Sequence, residues 1–81
     1  MYLHIGKDCI INSKNIIGIF NIEYVKNTKE YKNLYKRMED SQNINFVTDK
    51  KAKSFILTKE KGNEKAYITN IGVYTIAKRL I

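Results

Sequence analysis

Apolar and polar positions alternate from the start of the chain. Tyr2, Leu3, His4 and Ile5 read as a short strand, Gly6-Lys7-Asp8 as a turn, and Cys9-Ile10-Ile11 as the returning strand of a hairpin. A polar bend at residues 12–15 leads into Ile16 to Ile22, which is apolar on both faces of a strand. Ile16, Phe20 and Ile22 point one way, and Ile17 and Ile19 the other. A sheet with one wet face has no use for such a strand. It is either covered on both sides within the fold or has its second face against another subunit. Gly18, inside it, marks a close neighbour or a bulge.

The period then changes from two to 3.6. Asn27 as N-cap and Glu30 three residues on resemble a capping box, and Tyr31, Leu34, Tyr35 and Met38 follow at the spacing of one helical face. That stripe predicts core residues rather than exposed stacking platforms. Residues 40–43 break the helix, and Ile44 to Val47 alternate as a strand. After a polar loop, Phe55-Ile56-Leu57 forms a strand expected to return antiparallel to it. Residues 59–63 are a turn, Ala66-Tyr67-Ile68 another strand, and Val73, Ile76, Ala77 and Leu80 the apolar face of a short helix ending in Lys78-Arg79. The pattern predicts an α+β fold. It is a small β-rich domain of about six strands with one central amphipathic helix and a short C-terminal helix, spanning residues 1–81 as a single domain.

Charge changes this picture by pointing outward. Fifteen Lys and Arg against eight Asp and Glu give a net charge of +7, which favours an anionic partner such as nucleic acid. Residues 26–61 carry ten of the cations and five of the anions, so the excess lies in the middle of the chain. Its densest part is Lys50, Lys51 and Lys53, just before the Phe55 strand. Cations held at a strand's edge can touch several phosphates at once. The residues themselves leave a solvated turn open as the plainer alternative. Lys29, Lys32 and Lys36 form a second basic ridge along the helix, for which an ordinary solvated face is the commoner explanation.

Catalytic and metal chemistry find little material. There is one histidine and one cysteine. His4 and Cys9 are placed to face each other across the first hairpin, but nothing at a recognisable spacing orients them as a nucleophile and base. No zinc or calcium ligand set occurs at usable spacings, and the glycines are too scattered for a nucleotide fingerprint. The expectation is therefore neither enzyme nor cofactor protein. A single cysteine, no membrane-length apolar run and no signal-like opening suggest a soluble, cytoplasmic protein.

Met1-Tyr2-Leu3-His4-Ile5-Gly6 with Asp8, then Asn15-Ile16-Ile17-Gly18-Ile19-Phe20-Asn21, resemble the opening of the RemB-type extracellular matrix regulatory proteins of Gram-positive bacteria. The likeness continues through Lys53-Ser54-Phe55-Ile56 and Thr75-Ile76-Ala77-Lys78-Arg79-Leu80, and so covers most of the chain. The resemblance implies a cytoplasmic DNA-binding regulator of biofilm-matrix genes, related to RemA, with a LytTR-like fold that assembles into rings. In the RemA branch an Arg-Arg pair contacts DNA, and Lys50-Lys51 stand at its place here, with Lys53 at a following basic position. Charge is kept, while the bidentate geometry that reads base edges is lost. A further basic position of RemA falls on Asn15, next to Lys14. The reading that results is a homo-oligomeric, double-stranded-DNA-binding regulator using Lys50, Lys51, Lys53 and Lys14. The alternative is a protein–protein adaptor whose lysines serve solubility.

Overall fold

The computed structural model describes residues 1–80. The first hairpin forms as expected, with β1 (Tyr2–Gly6) antiparallel to β2 (Cys9–Asn12) as a separate two-stranded sheet. A 3-10 turn at Ser13–Asn15 leads to β3 (Ile16–Asn21). Then follow a short helix α1 (Ile22–Val25), the long helix α2 (Lys29–Asp40), β4 (Ile44–Phe46), β5 (Ser54–Glu60), β6 (Asn63–Thr69) and α3 (Val73–Arg79). The second sheet has strand order β3-β5-β6-β4. The fold is thus α+β, with six strands in two sheets among the described residues.

The four-stranded sheet is the middle layer. On one face Ile56 meets Leu3, Ile5 and Ile11 of the hairpin and Ile76 of α3, with Val47 beside them. On the other, Phe55, Leu57, Ala66 and Ile68 meet Met38, with Tyr31, Leu34 and Tyr35 packed alongside. Strand β5 lies between both layers, and its residues Ser54 to Thr58 are all buried. Phe55 is the hub of the helix side. The Tyr31 ring meets it edge-on at 5.3 Å, and the rings of Phe20 and Tyr35 lie 6.2 and 6.4 Å away. Each such pair adds about 0.5–1.5 kcal/mol beyond area burial. Burial also pushes the Tyr31 phenol up to about 12, with the neighbouring Tyr35 adding to the shift.

Several local expectations are corrected. The α2 N-cap is Thr28, not Asn27: its Oγ1 accepts the Tyr31 N–H at 3.2 Å, so Glu30 stands one position short of a capping box. Strand β3 ends at Asn21, whose side chain accepts the Glu23 N–H at 3.0 Å and starts α1, taking Ile22 out of the strand. Within β3 the register slips between Ile16 and Gly18. This bulge turns Ile16 to the hairpin side with Ile19, while Phe20 and Ile22 pack on the helix side. Both faces of β3 are therefore partly covered within the protomer, and among its residues Ile17, at the bulge, is largely exposed. Gly18 serves both anticipated ends. It adjoins the bulge, and a Cβ there would stand 2.9 Å from Cζ of Phe20.

The largest correction concerns β4. It pairs with β6, in parallel, and not with β5. β5 instead lies between β3 and β6, antiparallel to both. The segment 47–53 must consequently cross the end of β6 to reach β5.

Candidate nucleic-acid interface

That crossing gives the basic loop its shape. At its start Val47 N–H donates to the Ile68 carbonyl at 2.9 Å, and at its finish Lys53 N–H donates to the Thr69 carbonyl at 2.8 Å. The Lys53 carbonyl in turn accepts the Ile22 N–H at 3.0 Å, tying α1 to the same point. Thr48 Oγ1 accepts the Lys50 N–H at 3.0 Å and turns the chain before the lysines. Ala52 packs inward on the helix-side core, leaving Lys50, Lys51 and Lys53 exposed. Three cations thus sit on a main chain anchored by hydrogen bonds to β6 and to the start of α1.

The anchor is itself buried and polar. Thr69 Oγ1 donates to the Ile5 carbonyl at 2.6 Å and accepts the Ile71 N–H at 3.1 Å. Ser54 Oγ donates to the Ile71 carbonyl at 2.7 Å. Both residues are fully buried and hydrogen-bonded, which is the condition for polar groups to be tolerated there. They join the end of the sheet to the hairpin and to the start of α3.

Lys51 and Lys53 line a shallow notch of about 290 Å3, together with Asn21 and Glu23 from the β3–α1 junction and Gly72 and Val73 from the start of α3. Glu23 is the acidic group in it, and Lys26 Nζ answers that charge at 3.2 Å. Lys50 lies beside the notch on the same loop.

Lys14 is placed elsewhere. It is exposed in the 3-10 turn before Ile16, which pairs with Thr58, whereas Lys53 precedes Ser54, which pairs with Asn21. The length of β3 separates them, roughly 17 Å for five strand steps. Within one protomer the structure therefore brings Lys50, Lys51 and Lys53 together and leaves Lys14 at the opposite end of the sheet. Lys29, Lys32 and Lys36 are exposed along α2, with Lys36 3.4 Å from Asp40.

His4 and Cys9 do not meet. His4 pairs with Ile10 and is exposed, its ring hydrogen-bonded to the Lys7 carbonyl, while Cys9 pairs with Gly6 and packs on the hairpin-side core. Burial pushes the Cys9 thiol up, and Lys65 only partly offsets this, the reverse of what an activated nucleophile needs. Among the described residues no group of three or more His, Cys, Asp or Glu is placed to hold a metal ion. No helix among them is long and apolar enough to cross a membrane.

Two exposed aromatic residues, each next in sequence to a notch-lining residue, escaped the sequence reading. Tyr24 on α1 and Tyr74 on α3 are 83% and 73% exposed. Neither belongs to an apolar period, and a lone tyrosine carries no signal until the fold brings its segment to the end of the sheet that bears the basic loop.

No curated protein matches this chain. A family match, in contrast, runs over residues 2–80, nearly the whole length and every element that shapes the basic end of the sheet. The chain belongs to the RemA-like family, described as extracellular matrix regulatory protein A-like.

Proposed function

We propose that this protein is a cytoplasmic DNA-binding transcriptional regulator of extracellular matrix genes, acting as a homo-oligomer and not as an enzyme. Each protomer sets Lys50, Lys51 and Lys53 on the phosphate backbone of duplex DNA. The observation that carries this reading is the anchored loop: a run of cations on a main chain pinned by three hydrogen bonds to the core can meet phosphates without first being ordered. Membership in the family supports the regulatory role. The second face of β3, which an adaptor would offer to a partner, is partly buried in the protomer through Ile16 and Ile19, with Ile17 left exposed.

One protomer makes roughly three phosphate contacts, giving a log–log salt slope near −2.7 at about −0.9 per contact. That is weak binding, and useful affinity calls for several protomers acting on one duplex, where avidity adds on the order of 10²–10⁴. The test is binding of an unrelated duplex by fluorescence anisotropy across a salt series. Wild type should give a slope clearly steeper than that single-protomer value, and the triple Lys50→Ala, Lys51→Ala, Lys53→Ala variant a much flatter one. A slope near the single-protomer value would remove the oligomer, and an unchanged slope in the variant would remove the loop.

A further inference from the structure

The segments that carry the two exposed tyrosines are tied to the basic loop or its neighbouring residue. Tyr24 follows Glu23 and Tyr74 follows Val73, and Glu23 and Val73 both line the notch with Lys51 and Lys53. The segment bearing Tyr24 is tied to the loop by Ile22 N–H on the Lys53 carbonyl, 3.0 Å. The segment bearing Tyr74 is tied to the next residue by Ser54 Oγ on the Ile71 carbonyl, 2.7 Å. Both rings therefore ride on the same two-residue anchor as the basic loop. Neither is needed by the core: α1 packs inward through Ile22, and α3 through Ile76. Lys78 Nζ sits 4.9 Å from the centre of the Tyr74 ring and covers one of its faces.

Exposed apolar residues scattered singly require no explanation. Two aromatic rings with polar tips, carried on the same anchor as a cation run, make a composite surface. We infer that Tyr24 and Tyr74 are contact residues of this face, packing their rings on deoxyribose and donating their hydroxyls to phosphates of duplex DNA beside Lys51 and Lys53. This rests on the function proposed above and deepens it. With Lys78 over one face, Tyr74 offers its edge and hydroxyl, which suit sugar and phosphate better than a stacked base.

A tyrosine hydroxyl releases no counterion, so its loss has a different signature from a lost lysine. The double Tyr24→Ala, Tyr74→Ala variant of the full chain should bind duplex DNA about three- to tenfold more weakly at every salt concentration, with the wild-type slope, as expected for one or two hydrogen bonds and their packing. The double Phe variant, which keeps both rings, should fall between the two, and it carries the test if circular dichroism shows the Ala pair unfolded. Duplex affinity unchanged in the double Ala variant, or in the Phe pair where that carries the test, would overturn the inference and leave the lysine loop standing. So would a loss seen only with single-stranded DNA. Wild type that fails to bind any duplex would instead overturn the functional reading and this inference with it.

Discussion

The two ends of the four-stranded sheet are both basic, and they differ in how the charge is arranged. At one end Lys50, Lys51 and Lys53 follow one another on a single pinned loop. At the other, the β5–β6 hairpin alternates in sign as Lys59-Glu60-Lys61 and Glu64-Lys65, and Lys59 lies directly opposite Glu64 in the register. Glu64 also meets Arg37 of α2 at 3.1 Å. Opposite charges facing each other across a strand pair stabilise the sheet and cancel at a distance. A run of one sign does neither. Counting lysines would make the ends similar, whereas reading their neighbours makes one a structural hairpin and the other the surface proposed to meet an anion.

The sharpest way to break this comparison is to neutralise each end in turn. Replacing Lys50, Lys51 and Lys53 by Ala should weaken duplex binding on the order of 10²-fold or more near 0.1 M salt, since three phosphate contacts are lost per protomer. Replacing Lys59, Lys61 and Lys65 by Ala removes the same formal charge and should change affinity only a few-fold. Equal losses in the same anisotropy titration would mean that total charge, not arrangement, governs binding.

A smaller effect should separate the ends by stability. Thr69→Val removes two hydrogen bonds at the loop end, leaving the Ile5 carbonyl and the Ile71 N–H without that partner, at a cost of about 1–3 kcal/mol. Thr58→Val, at the hairpin end, removes one bond, from Oγ1 to the Lys65 carbonyl at 2.9 Å, and should cost about 1 kcal/mol or less. Urea denaturation measures both through the midpoint, provided the slope m is unchanged. A larger loss for Thr58→Val would show that the buried polar anchor is not what secures the loop end.

The parts of this fold that were legible in sequence are those set by one element's own period. Tyr31, Leu34, Tyr35 and Met38 had to share a helix face, and Phe55 to Leu57 read as a buried or half-buried strand, which lies between both layers. What failed was information held between elements. The parallel pairing of β4 with β6 leaves no mark on either strand's composition, because a parallel neighbour and an antiparallel one bury the same face. The bulge that turned Ile16 to the hairpin side is likewise a register event, signalled only by Gly18. The candidate site divides in the same way. Lys50, Lys51 and Lys53 are contiguous and were visible as a cluster, while the notch they share with α1 and α3 exists only because the loop crosses β6. Lys14 was grouped with them by resemblance, and a six-residue strand intervenes.

The smallest effect probes the hairpin end with a single residue. Lys61 and Gly62 occupy the β5–β6 turn with φ of 51° and 83°, the two positive values of the tight turn that suits the twist of paired strands. Gly62 adopts this freely, but Lys61 is an ordinary side chain in the left-handed region, where the cost is roughly 1–2 kcal/mol and Asn is better accommodated. Lys61→Asn should therefore raise stability, by up to about 1 kcal/mol, since Asn-Gly is the preferred pair for such a turn. The same change removes a cation from the alternating hairpin. If that end is structural, the variant should melt higher and bind duplex DNA with the affinity and salt slope of wild type. A gain in stability accompanied by a slope flattened by about one unit per engaged protomer would place a phosphate at Lys61 and make both ends of the sheet part of the interface.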